Sequence, residues 1–75
     1  MFANYYTITV YKTPFSRFCN EDTRVCTYRV YSYEEMEYEY KKFKRIIQNS
    51  NVLGSVRIIG YWPENQEQIY FWKKS

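Results

Sequence analysis

The hydrophobic period of the chain changes at Ser32, and this change limits the folds that the sequence can adopt. Residues 32–35, SYEE, form a capping box, in which serine and glutamate satisfy exposed backbone donors at a helix start. Beyond it, apolar side chains recur at helical spacing on one stripe, which consists of Tyr33, Met36, Tyr40, Phe43 and Ile47, with Ile46 on its flank. We therefore predict a helix in which Tyr33 and Tyr40 are core rings and Tyr38 points outward.

The residues before this helix alternate with the period of a strand. Residues 4–12, NYYTITVYK, and residues 24–32, RVCTYRVYS, each place apolar side chains on every second position. Pro14 interrupts the first ladder, so the segment after it is expected to be an irregular arm that leads into a turn at residues 20–23, NEDT. The two segments predict a hairpin.

A second hairpin is predicted after the helix. Residues 49–54 contain the Asn and Gly that commonly follow a helix, and residues 55–62, SVRIIGYW, form a third strand. A turn at 63–66, PENQ, leads into a fourth strand at 67–74, EQIYFWKK. Alanine and leucine occur once each, so the core must use residue types that favour strands. We predict one α+β domain over residues 1–75, of order ββαββ, with a four-stranded sheet, one helix on one face and an open strand order.

A single helix leaves the other face of such a sheet uncovered. Alternation assigns to the helix side Ile8, Val10, Tyr28, Val30, Val56, Ile58, Ile69 and Phe71. It assigns to the helix-free side Tyr5, Tyr11, Arg29, Tyr31, Arg57, Ile59, Tyr61, Tyr70 and Trp72. Aromatic residues and arginine are enriched in protein interfaces, so this second set, without Ile59, is the predicted partner-binding site. A slip of one residue in any strand would exchange its two faces.

The first functional hypothesis is a non-enzymatic protein-binding module that docks on a second copy as a homodimer or on a host protein. Enrichment in Tyr, Asn, Lys and Ile is typical of AT-rich coding, and small AT-rich proteins are common products of bacteriophages and other mobile elements. Many such accessory proteins inhibit a host protein, including nucleases of defence systems. A smaller surface on the predicted helix, around Glu34, Glu35 and Tyr38, is a secondary candidate.

The alternative hypothesis is single-stranded nucleic-acid binding by the same sheet face. Aromatic rings would stack on bases, while Arg29, Arg57, Lys73 and Lys74 would contact phosphates. The net charge of +3 and the glutamates of the helix argue against this alternative.

Other classes of function lack the residues that their chemistry needs. The sequence contains no histidine and two glycines, so we predict no enzyme, no phosphate-binding glycine loop and no cofactor. Cys19 and Cys26 are expected to be small, buried or half-buried thiols. They are too few to hold zinc alone, and they would lie within disulfide range if the first hairpin pairs them. Neither a signal peptide nor a membrane span is predicted, and we expect a cytoplasmic protein.

Overall fold

The computed structural model describes residues 2–12 and 24–74, and it confirms the α+β order ββαββ. The elements are β1 (Tyr5–Lys12), β2 (Arg24–Val30), α1 (Tyr33–Gln48), β3 (Leu53–Tyr61) and β4 (Gln66–Lys73). The predicted arm after Pro14, the NEDT turn and Cys19 lie outside the described residues, so the alternative of a Cys19–Cys26 disulfide stays open.

The strands form one antiparallel sheet in the order β2-β1-β3-β4. Because β1 is antiparallel to both of its neighbours, β2 and β3 run in the same direction with β1 between them. The helical connection from β2 to β3 therefore crosses β1. As a result, α1 lies on the two central strands, and β2 and β4 are the edges of the sheet.

The core lies between α1 and the central strands. Ile8 is in register with Tyr28 on β2 and Ile58 on β3, and Val10 is in register with Val56, as alternation predicts for the helix side. The buried apolar residues are Ala3, Tyr6, Ile8, Val10, Val30, Met36, Ile47, Val56 and Ile58.

The helix begins where the capping box predicts. The Ser32 hydroxyl accepts a hydrogen bond from the Glu35 backbone N–H at 3.1 Å. Met36 is fully buried, as predicted for the core stripe. The prediction that Tyr33 is a core ring is wrong, because this side chain is 37% exposed and covers the rim of the core beside Phe2.

Strand β4 departs from the predicted pattern through a β-bulge. Ile58 pairs with Tyr70 and Ile59 pairs with Gln68, so Ile69 is an extra residue on β4. The bulge shifts the following residues to the opposite face. It explains why the assignment of Tyr70 and Trp72 to the helix-free face, and of Phe71 to the helix face, is wrong.

The same bulge brings Ile69 and Trp62 over Gly60 on the helix side of the sheet. A Cβ atom at position 60 would lie 2.9 Å from Cζ3 of Trp62 and 3.2 Å from Cδ1 of Ile69. Glycine is therefore required at this position for the indole ring to cover the strand.

We expect Gly60→Ala to lower the free energy of unfolding by about 1–3 kcal/mol, because the added methyl group overpacks the contact with Trp62. Urea denaturation measures this change. The same substitution in a Trp62→Phe background should be less destabilising, since phenylalanine lacks the outer indole atoms. An equal loss in both backgrounds would show that the contact with Trp62 is not the cause.

Candidate functional site

The sheet face that points away from α1, here called the open face, consists of four rows of residues that cross the strands. The row nearest the β1–β2 connection contains Arg24, Tyr11, Ser55 and Lys73. The next row contains Thr27, Thr9, Arg57 and Phe71. The third contains Arg29, Thr7, Ile59 and Gln68, and the last contains Tyr5, Tyr61 and Gln66.

Three side chains at one end of the open face pack against each other across three strands. The rings of Tyr5 and Tyr61 are stacked, with centroids 4.7 Å apart and an interplanar angle of 12°. The guanidinium carbon of Arg29 lies 4.3 Å from the centroid of the Tyr5 ring. Because β2 and β3 lie on opposite sides of β1, Arg29 and Tyr61 cover opposite faces of the Tyr5 ring. We call these three residues the Tyr5 cluster.

A second group, here called the Arg57 cluster, lies toward the other end of the open face. The guanidinium carbon of Arg57 is 5.5 Å from the ring centroids of both Tyr11 and Phe71. The Arg57 Nε atom is buried and has no hydrogen-bond partner among the residues that the structure describes. Arginine is thus held between two rings, and one of its donors is left without an acceptor.

A band of threonines and one isoleucine separates the two clusters. Thr7 is in register with Ile59, and Thr9, which is buried, is in register with Arg57. The Thr27 hydroxyl donates a hydrogen bond of 3.2 Å to the hydroxyl oxygen of Thr9 across the strands. Cross-strand pairs of this kind stabilise a sheet.

The charged side chains of the open face are all cationic within residues 2–12 and 24–74. Arg24, Arg29, Arg57 and Lys73 occupy this face. The described acidic residues lie elsewhere: four on α1, Glu64 in the turn before β4, and Glu67 opposite Gly60 on the helix-facing side. The open face therefore has a positive charge although the chain as a whole has only +3.

The structure brings together five of the predicted partner-binding residues, namely Tyr5, Tyr11, Arg29, Arg57 and Tyr61. Tyr31 lies beside them, with its ring 6.4 Å from that of Tyr5 and its side chain 67% exposed. Phe71 also belongs to the open face, although alternation predicts that it faces the helix. The sequence pattern cannot reveal the bulge in β4, because residues 69–72 are all apolar.

Tyr70 and Trp72 belong instead to the helix side. The Tyr70 ring stacks on the ring of Tyr40, with centroids 4.4 Å apart, and its hydroxyl donates a hydrogen bond of 2.6 Å to a carboxylate oxygen of Glu37. Trp72 packs against the core near Lys44. These two side chains hold β4 to the helix and are not available on the open face.

The secondary surface around Tyr38 is exposed as predicted. Glu34, Glu35 and Tyr38 all face solvent, and the Lys42 ammonium lies 5.9 Å from the Tyr38 ring centroid.

Two glutamates of α1 bind tyrosine hydroxyls on the edge strands, although their spacing predicts a solvated helix face. Glu37 accepts from Tyr70 of β4, and also from Tyr33 at 2.8 Å. Glu39 accepts from Tyr28 of β2 at 2.6 Å and forms an ion pair of 2.8 Å with Lys42. The helix is thereby linked to both edges of the sheet.

These hydrogen bonds shift the pKa values of the groups that form them. The hydroxyls of Tyr70 and Tyr33 lower the pKa of the Glu37 carboxyl, and Lys42 together with Tyr28 lowers the pKa of Glu39. Burial, followed by the bond to Glu39, raises the pKa of Tyr28, and the bond to Glu37 raises the pKa of Tyr70. The folded state therefore favours charged glutamates and neutral tyrosines.

The described residues contain neither a cluster that could bind a metal ion nor a helix that could span a membrane. No group of three or more Cys, Asp or Glu side chains there could hold a metal ion, and no helix is long and apolar enough to cross a bilayer. Cys26 is exposed on β2, an edge strand, so the expectation of a buried or half-buried thiol is wrong for this residue.

The pKa shifts predict how stability depends on pH. A lowered carboxyl pKa stabilises the fold above about pH 4.5, and this stabilisation is lost as the pH falls through the folded-state values of Glu37 and Glu39. A raised tyrosine pKa stabilises the fold below about pH 10, and this contribution declines at higher pH. Urea midpoints measured from pH 2 to 11 should fall at both ends.

Glu37→Gln should reduce the loss of stability at acid pH, because the carboxylate that must be protonated is absent. Glu34→Gln removes an exposed carboxylate from the same helix and is the matched control, which should keep the acid slope of the original protein. Identical slopes for Glu37→Gln and the control would contradict the assignment.

No family model matches this sequence, and the comparisons with curated proteins and with solved structures found no significant match.

Proposed function

We propose that the chain is a non-enzymatic protein-binding module and that its partner docks on the open face. The observation that carries this proposal is the packing of the Tyr5 cluster. Tyr61 and Arg29 cover the two faces of the Tyr5 ring, so this ring presents its edge and hydroxyl outward. Ring edges, hydroxyls and guanidinium groups suit the mixed polar and apolar surface of a protein.

The rigidity of the open face also supports protein binding. Each arginine of the two clusters is already held against aromatic rings, and Ile59 lies between the clusters in register with Thr7. Side chains that are ordered before binding lose less conformational entropy when a partner arrives. Tyr31, which is exposed beside the Tyr5 cluster, extends the apolar area toward the sheet edge.

Single-stranded nucleic-acid binding is the second candidate, and the cations of the open face favour it. Arg24, Arg29, Arg57 and Lys73 could contact phosphates. Base stacking, however, needs a ring with a free face, and the Tyr5 ring has neither of its faces free. The Tyr5 cluster therefore favours a protein partner, whereas the exposed rings of Tyr31 and Phe71 would suit either partner.

The same charge distribution bears on the choice between a second copy and another protein. In a symmetric dimer that packs the open face on itself, each copy would bring the same four cations, and no acidic side chain of the described residues, against the other. Like charges across an interface are unfavourable. We therefore propose a partner other than the chain itself, and the AT-rich composition supports the narrower proposal of a host protein that the module inhibits.

The test is capture of a partner from bacterial lysate with variants on the two sides of the molecule. We expect the unmodified chain to retain a stoichiometric protein band after nuclease treatment. The double variant Tyr31→Ala, Ile59→Thr should lose this band while its circular dichroism spectrum remains unchanged, because it removes two apolar side chains that a partner would contact, the exposed Tyr31 and the half-buried Ile59. Tyr38→Ala, on the outer surface of α1, is the matched control and should retain the band.

Retention of the band by the double variant would contradict the proposal that the open face binds it. Loss of all bound material on nuclease treatment, with no protein remaining, would favour the nucleic-acid candidate instead.

A further inference from the structure

The unpartnered donor of Arg57 indicates what the partner must present. The Nε atom of this residue is buried between Tyr11 and Phe71, and no described group accepts a hydrogen bond from it. Buried donors in native proteins are almost always paired, so this donor marks Arg57 as a residue whose surroundings are incomplete. Because Nε is itself buried, a partner meets the guanidinium group as a whole and reaches Nε only after a side-chain rearrangement.

The charge of the face indicates that the acceptor is an anion. The open face carries Arg24, Arg29, Arg57 and Lys73, with no acidic side chain on it within the described residues. A guanidinium group binds carboxylate oxygens with good geometry and with stronger hydrogen bonds than a neutral acceptor would make. The aromatic rings on both sides of Arg57 exclude water and strengthen the attraction.

The spacing of the two central arginines is compatible with one bound segment. Arg29 is in register with Thr7, and Arg57 is in register with Thr9. Their Cα atoms are therefore two strands and two residues apart, which corresponds to about 12 Å. Side chains four residues apart on one side of an extended peptide are separated by about 13 Å, so a single segment can reach both arginines.

We propose that the partner docks a carboxylate-rich protein segment on the open face, with one carboxylate pairing with the guanidinium group of Arg57 and another with that of Arg29. This inference rests on the proposed function of the open face and specifies the chemistry of its partner. Nucleic acid would supply anionic phosphates as well, but its bases would find no free face on the Tyr5 ring.

The test uses three fluorescein-labelled probes with the intact chain. One is a twelve-residue peptide of alternating Glu and Thr, the second replaces every Glu by Gln, and the third is a twelve-nucleotide oligothymidine. We expect fluorescence anisotropy to show binding of the Glu peptide at least tenfold tighter than of the Gln peptide, with a weaker affinity at higher salt. The Nε–H signal of Arg57 in a nitrogen-15 NMR spectrum should shift on addition of the Glu peptide.

Variants identify the donor. Arg57→Gln should weaken binding of the Glu peptide about tenfold or more, because both the charge and the Nε donor are lost. Arg57→Lys retains the charge without this donor and should restore only part of the affinity. Arg45→Gln removes a cation from α1, on the other side of the sheet, and is the matched control that should leave the affinity unchanged.

Equal binding of the Glu and Gln peptides, or equal affinity of Arg57→Gln and Arg45→Gln, would overturn the inference. If the double variant Tyr31→Ala, Ile59→Thr nevertheless loses the partner captured from lysate, the proposed protein-binding function stands. Only the inference that the partner segment is rich in carboxylates is then wrong. Tighter binding of oligothymidine than of the Glu peptide, with a shift of the Arg57 signal, would overturn both in favour of nucleic acid.

Discussion

The fold depends on how one helix holds a sheet that is wider than itself. Four strands span about 19 Å, whereas a helix with its side chains is about 10–12 Å across, so α1 covers only β1 and β3 directly. The edge strands are joined to it by hydroxyl–carboxylate bonds, from Tyr70 to Glu37 on one side and from Tyr28 to Glu39 on the other. A core with a single leucine is thus completed by polar contacts at its margins.

This arrangement gives the ten tyrosines of the chain different roles on the two faces of the sheet. On the helix side, Tyr28 and Tyr70 use their hydroxyls to hold strands, and the carboxylates of Glu39 and Glu37 accept from them within the fold. On the open face, Tyr5 and Tyr61 stack on each other, and no carboxylate of the described residues neutralises the arginines. The acidic residues that the structure describes all lie off the open face, and this face is therefore cationic.

Much of this architecture follows from local pattern. The period change at Ser32 predicts the helix, and alternation predicts the faces of β1, of β3 and of β2 from Cys26 onward. A register shift at Val25 places Arg24 on the open face. Residues 69–72 are all apolar, however, so alternation cannot indicate which of them face the helix, and the bulge at Ile69 decides it. The Tyr70–Glu37 bond joins residues 33 positions apart and depends on where the helix crosses the sheet, which no local pattern specifies.

The most direct test of this account is a double-mutant cycle between Tyr70→Phe and Glu37→Ala, with free energies of unfolding from urea denaturation at neutral pH. If the hydroxyl–carboxylate bond holds β4 to the helix, the two substitutions should be coupled by about 0.5–3 kcal/mol. Free energies that add to within about 0.5 kcal/mol would contradict the account, because they would show that the edge strand is held without this bond.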